Sequence, residues 1–356
     1  MFNSCCRKAV ATVMVLLLSG AASAQQKDEP IKLESTLVLV DAIVLNKKTN
    51  AAVGDLKRDD FKIEENGREQ AITHFSREEL PLSVVLLVDI SGSMYPVINE
   101  LQRAALDALA RLKPQDKVAL MVFANTPRLV SGLDTDHKSI ADKLDNLLNE
   151  SGRVGYATFI NSAIYGAARY LRANTGSTER RAIVLITDDV DTSPAGWGPR
   201  RAVVERELFE TGATLCAITF GGEGIKSKAL RAGATAAITM AAPGLGALII
   251  ASRLLNRLSP SRGSAKYYAK RTGGVAVKAK HDEVAIHFAG MMELLRARYT
   301  FGYAPADTTS DGRFREIRVT VSDRARKEKG DMHILARRGY YIRKEFDPRS
   351  YRIKNN

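Results

Sequence analysis

Residues 82–94, LSVVLLVDISGSM, run through uncharged positions into Asp89 and then set hydroxyls at Ser91 and Ser93. A second apolar run, RAIVLITD at 181–188, closes on Asp188 in the same way. Carboxylates and hydroxyls are hard oxygen donors, and a set of them gathered in one place suits a hard divalent cation. Mg²⁺ would take them octahedrally and keep several waters. Other chemistries lack their residues. There is no His-Glu-x-x-His, no Gly-x-Ser-x-Gly and no Gly-x-x-x-x-Gly-Lys loop. His281 and His287 stand six apart, off any common ligand spacing, and His74, His137 and His333 are isolated. Metal-assisted hydrolysis needs a group that activates water beside the cation, and only Asp189 is a candidate. The chain is therefore expected not to be an enzyme.

For the two acids to meet, the runs that carry them must be neighbours ending at one edge. LSVVLLVD (82–89), KVALMVFA (117–124), RAIVLITD (181–188) and ATLCAITF (213–220) are too apolar for either face to see water. Strands of that kind belong to a parallel sheet covered by helices on both sides. The intervening segments fit: Val97, Leu101, Ala105, Ala108 and Leu112 share one helical face, as do Val284, Phe288, Met291 and Leu295. In such open α/β sheets, ligands bind outside the carboxyl ends of the strands. The flanking segments read as β-structure. FKIEENGREQAITHF places Asn66-Gly67 between two short strand-like runs, a hairpin signal. RYTFGYAP, RFREIRVTVS and MHILARRGYYI alternate around Asp311-Gly312. Neither flank carries enough apolar residues for its own core, so they are expected to pack together, with the α/β domain inserted between them.

Residues 81–297 resemble a von Willebrand factor A domain, a doubly wound, Rossmann-like fold. DISGSM matches its metal-ion-dependent adhesion site, Asp-x-Ser-x-Ser. The resemblance implies that Ser91 and Ser93 ligate the metal directly, that Thr158 in YATFINSAIY adds a third hydroxyl, and that Asp89 and Asp188 act mainly through water and hydrogen bonds. It implies Mg²⁺ or Mn²⁺ as the cation and a partner's Asp or Glu carboxylate as the ligand, because neutral hydroxyls leave the cation poorly neutralised. Two departures stand out. The family usually has glycine after its strand-end acid, where this chain has Asp189 and then Asp191; pointing inward they would tighten the metal and weaken attraction for an acidic ligand, and pointing outward, the reading preferred here, they are a solvated loop. The loop before Thr158 reads GYATFINS in place of the common Gly-Gly-Thr-Ala-Leu-Tyr-Asp. The full order of segments is similar to that of exported bacterial A-domain proteins first described among Acidobacteria.

Arg7 and Lys8, an apolar stretch and Ala22-Ser23-Ala24 have the form of a cleaved export signal. The expected organisation is a signal peptide at 1–24, a β segment at 25–80, the A domain at 81–297 with an apolar insertion at 223–262, a second β segment at 298–346, and a tail at 347–356. Export implies a periplasmic or extracellular location. Only Cys216 remains after cleavage, in an apolar run where a buried inert thiol is expected. The net charge is +13, and residues 262–356 hold 22 Lys or Arg against 11 Asp or Glu. That surplus reads as a solvated basic face or a contact with an anionic surface, without the aromatic pattern of nucleic-acid binding. Residues 232–252 carry no charge, but Ala, Gly, Thr and Pro dominate them, so an inserted lid is expected in preference to a membrane span. The functional expectation is an adhesion module that binds a protein through its metal. The alternatives are an envelope scaffold with a structural metal and a metal-assisted hydrolase.

Overall fold

Val38, Val40, Ala42 and Val44 alternate along one face of the first strand, β1 (Val38–Asn46), and all enter a single hydrophobic core. The computed structural model describes residues 37–341 except 50, 78–79, 156, 177–178, 195, 221–263 and 310. The expected signal peptide, the apolar segment 232–252 and the tail 347–356 lie outside the described residues. After β1 come β2 (Phe61–Glu65), β3 (Arg68–Gln70) and β4 (His74–Ser76). Asn66 and Gly67 join β2 to β3 with φ of 49° and 78°. These two residue types adopt that doubly positive turn at least cost, which is why the pair marks a hairpin in the sequence.

The α/β portion begins at β5 (Leu82–Asp89) and continues through α1 (Tyr95–Leu109), β6 (Lys117–Phe123), β7 (Pro127–Asp134), α2 (His137–Leu144), α3 (Ile160–Asn174) and β8 (Arg180–Thr187). It closes with α4 (Arg201–Thr211), β9 (Thr214–Thr219), α5 (Ser264–Thr272), β10 (Ala276–Lys278) and α6 (Val284–Arg296). The strand order is β10-β9-β8-β5-β6-β7, parallel except for the antiparallel edge strand β7. The central strand shows why its sequence is unbroken. Val84, Leu86 and Val88 pack on α1, α2 and α6, whereas Val85 and Leu87 pack on α3, α4 and α5. Every position along it meets a helix layer, so polar residues have no place until the strand ends. Cys216 is buried within β9, and burial pushes its thiol pKa up, away from nucleophilic use.

The chain returns to β-structure in β11 (Tyr299–Tyr303), β12 (Phe314–Val321), β13 (Met332–Ala336) and β14 (Gly339–Tyr341), with a short helix α7 (Asp323–Lys329) after β12. Early and late strands form two four-stranded sheets, β13-β1-β11-β4 and β14-β12-β2-β3. Phe61 and Ile63 of one meet Val40, Tyr299 and Phe301 of the other in one core, with the Phe61 and Phe301 rings 4.7 Å apart. The terminal segments thus build a sandwich-like β unit beside the α/β fold. Asp311-Gly312 does not close a hairpin, because β11 and β12 belong to different sheets and the chain crosses between them there.

The β unit meets the amino ends of the parallel strands. Arg180, at the start of β8, pairs with Asp41 of β1 at 3.6 Å, and Arg298 donates to Thr214 at the start of β9 at 2.9 Å. Gly273, with φ of +76°, lets the Ala336–Arg337 backbone approach so closely that a Cβ would stand 2.4 Å from the Ala336 carbonyl carbon. Asp116 anchors the same edge. Fully buried, it accepts from the Leu82 and Lys113 amides at 3.0 and 2.9 Å and from Arg296 at 2.7 and 2.8 Å. Removing one partner of a buried, hydrogen-bonded ion pair leaves the other uncompensated. Asp116→Ala should therefore lower unfolding free energy by roughly 3–5 kcal/mol in urea titrations, and a loss below about 1 kcal/mol, the scale of an exposed pair, would contradict this anchoring role.

Candidate metal centre

β5 and β8 are parallel neighbours, with Val88 level with Ile186, so Asp89 at the end of one strand stands beside Thr187 and Asp188 at the end of the other. Asp89 is fully buried. One of its oxygens accepts from the Ser91 amide at 2.9 Å, which folds the chain back immediately after the strand. The other accepts from the Thr187 hydroxyl at 2.8 Å. Ser91 is extended (φ −61°, ψ 158°), and a single tight turn at Gly92–Met94 leads directly into α1. Neither serine caps that helix, because Ser91 makes no side-chain cap bond and the residue before α1 is Met94. Their hydroxyls face each other at 3.2 Å, and Ser93 donates to Asp188 Oδ2 at 2.7 Å. Asp188 Oδ1 takes the Val190 amide at 3.1 Å.

Four of the five expected site residues, Asp89, Ser91, Ser93 and Asp188, are therefore linked in one hydrogen-bonded group. Thr158 reaches the same edge, where the neighbouring Phe159 amide bonds the carbonyl of Ala124 just beyond β6. Its side chain is buried, but no hydrogen bond joins its hydroxyl to the other four. Thr158 is instead clasped to the loop after β8: its amide donates to Thr192 Oγ1 at 2.7 Å, and the Thr192 amide donates back to its carbonyl at 2.9 Å.

The electrostatics follow from burial. Desolvation, and then the nearby Asp188, push the Asp89 pKa up to about 7. Burial likewise raises Asp188 and Asp191. No lysine or arginine among the described residues forms an ion pair with Asp89 or Asp188. Asp189 and Asp191 are not the solvated loop residues the sequence suggested, since both are largely withdrawn from water. Asp189 accepts from the Ala265 amide in the first turn of α5 at 3.2 Å, with its pKa raised by burial to about 6. Asp191 accepts from the Ser193 amide at 2.9 Å. Neither of these bonds involves Ser91 or Ser93.

Residues 84–190 match the family profile of the von Willebrand factor type A domain. The chain carries an A domain. Three solved structures are similar to this chain at low identity. BatB from Bacteroides thetaiotaomicron is 16% identical, over 60% of this chain and 97% of that one, with a TM-score of 0.41. An aerotolerance-related membrane protein from Bacteroides fragilis is 17% identical over 60% and 98%, at 0.39. Proximal thread matrix protein 1 from the mussel byssus, solved with a zinc-occupied metal-ion-dependent adhesion site, is 13% identical over 61% and 48%, at 0.41. A comparison with curated proteins found no significant match.

The donor set of this A domain fits a hard cation. Two carboxylates of adjacent strand ends, Asp89 buried and Asp188 partly buried, have no cationic side chain paired with them among the described residues, and the serine hydroxyls beside them are not spent on helix capping. Among the described residues no three His, Cys, Asp or Glu side chains group to hold a metal by themselves, so any cation here requires the hydroxyls. Thr187 was not foreseen, because a threonine inside an apolar run reads only as a strand former. Its hydroxyl is the direct link between the two strand ends.

The raised Asp89 value fixes the sign of a pH dependence. The folded state holds this proton more tightly than the unfolded chain, whose carboxylate keeps its ordinary value of 3.8. In chelator, stability should thus fall as pH rises from about 4 to about 7 and level off above. Asp89→Asn should flatten that slope, as thermal melts across the range will show. An unchanged slope in the variant would place the titration elsewhere.

Proposed function

We propose that the chain is an exported binding protein whose A domain holds Mg²⁺ or Mn²⁺ and uses it to bind a carboxylate of a partner protein. Asp89, Ser91, Ser93, Thr158 and Asp188 are the residues that would hold the ion. The observation that carries this reading is the Ser91–Ser93–Asp188 chain of hydroxyl and carboxylate contacts at the carboxyl edge, opposite the edge occupied by the β unit. When bound, the cation supplies positive charge and a coordination position for an incoming oxygen. The protein's part is to hold the hydroxyls in place from two strand ends and a helix start, so that little ordering is needed when the ligand arrives. The export motif at 7–24 supports a periplasmic or extracellular location, and no helix among the described residues is long and apolar enough to cross a membrane.

Two other readings compete. A structural metal site would be needed for folding, yet Asp89 already has protein donors on both oxygens. A hydrolase would need a base beside the cation, and the one carboxylate suited to that task, Asp189, is committed to the Ala265 amide. Titration calorimetry with Mg²⁺ tests the site directly: Ser93→Ala and Asp89→Ala should each weaken binding at least tenfold, on the order of 1.4 kcal/mol or more. Far-ultraviolet circular dichroism of both variants should stay native. Wild-type affinity in both would remove the site assignment, while global unfolding of Ser93→Ala would favour the scaffold reading.

A further inference from the structure

Three exposed apolar side chains that the metal reading does not use stand on the loops that carry its candidate ligands. Each loop that brings a candidate ligand to the edge also carries an apolar side chain within two residues of it. Tyr95 follows Ser93 by two and is 45% exposed; Val190 follows Asp188 by two and is 48% exposed. Phe159 follows Thr158 directly and supports Trp197, whose ring meets it edge-on at 6.3 Å and 84°. Trp197 is 67% exposed, a costly state for the largest apolar side chain.

Its loop is fastened in place. The Trp197 amide closes a turn on the Pro194 carbonyl at 3.0 Å, the Thr158–Thr192 clasp ties the loop's start, and Asn161 donates to the Pro199 carbonyl at 3.3 Å. The tryptophan is presented on a braced loop, so little conformational freedom remains to be lost when it is covered.

Charge decides what covers it. Four carboxylates, Asp89, Asp188, Asp189 and Asp191, lie within four residues of the strand ends, so a cation at Asp89 and Asp188 has two further acids close by in the chain. A lone ligand carboxylate therefore gains less here than at a site with two acids, and contact area must supply the remaining affinity. Tryptophan and tyrosine are the side chains that most often supply it at protein interfaces.

We infer that the ligand is a protein segment in which an acidic residue is flanked by large apolar side chains, the acid meeting the cation and its neighbours covering Trp197, Val190 and Tyr95. This inference rests on the metal-dependent reading above and adds a determinant of specificity to it. Trp197 is the only tryptophan of the chain, so its emission reports directly on whether this surface is covered.

The test uses the full chain saturated with Mg²⁺, titrated with three short blocked peptides while tryptophan emission is followed. One carries Glu between Phe and Leu, the second replaces Glu by Gln, and the third replaces Phe and Leu by Gly. The first should shift emission to the blue and saturate, and should bind roughly tenfold or more tightly than either control. Trp197→Ala, followed by calorimetry, should lose that preference for apolar flanks while keeping wild-type Mg²⁺ affinity. Equal affinity for the first and third peptides, or no emission change with any of them, overturns the inference and leaves the metal site standing. Failure of the wild-type chain to bind Mg²⁺ at all removes both.

Discussion

Two neighbouring carboxylates at the ends of adjacent parallel strands, Asp89 fully buried and Asp188 partly buried, set the terms for the whole carboxyl edge. Taking an ionised carboxylate out of water costs several kcal/mol unless hydrogen bonds or a counter-charge offset it. Here Thr187 and the Ser91 amide attend to Asp89, and Ser93 and the Val190 amide attend to Asp188. These neutral donors offset part of the cost, and burial still pushes the pKa of both acids upward. The arrangement of strand, tight turn and helix around DISGSM is the local geometry that lets both serine hydroxyls join the group without serving as helix caps. Its remaining electrostatic demand is for positive charge.

The opposite edge solves the same problem differently. There Asp116 is buried as deeply as Asp89, but Arg296 forks onto both of its oxygens and two backbone amides complete the shell. Asp41 is met by Arg180 and Thr300, and the β unit closes over that edge. Asp116 and Asp41, which tie the fold together at this edge, receive arginines. Asp89 and Asp188 at the carboxyl edge receive hydroxyls and backbone amides in place of arginines. The contrast between the two edges supports the proposal that the carboxyl-edge cluster takes its counter-charge from outside the chain.

Legibility followed the same division between local and remote causes. The four central strands were readable because burial on both faces demands an unbroken apolar run, and each was located to within a residue or so. Edge strands escaped: β7 mixes Pro127, Ser131 and Gly132 with apolar residues because one side of it is open, and β10 has only three residues. The Asn66-Gly67 hairpin was readable because turn chemistry is carried by the two residues themselves. Asp311-Gly312 looked alike, but strand pairing decides sheet membership, and that depends on partners far away in the chain. In the site, Asp89, Ser91, Ser93 and Asp188 were visible from strand ends and spacing together with the family resemblance. Thr187, the Thr158–Thr192 clasp and the Phe159–Trp197 pair were not, because contacts between separate loops leave no periodic mark in either one.

Asp189 shows how such a remote contact shapes the site. It stands where the A-domain resemblance leads one to expect glycine, and its φ of +54° is the left-handed backbone that glycine adopts freely. Aspartate is among the few other residues that tolerate this region, at a cost of order 1 kcal/mol. What the side chain gains is the Ala265 amide in the first turn of α5, where the unsatisfied amides and the helix dipole both favour a carboxylate. A glycine could take the same turn but could not make that bond. The aspartate thus fixes the direction in which the chain leaves Asp188, and with it the exposure of Val190 immediately after. From there the loop runs to Thr192, which grips Thr158, and on to Trp197. One left-handed acid, held by a helix start, orients the loop that carries both the second strand-end carboxylate and the apolar surface beside it.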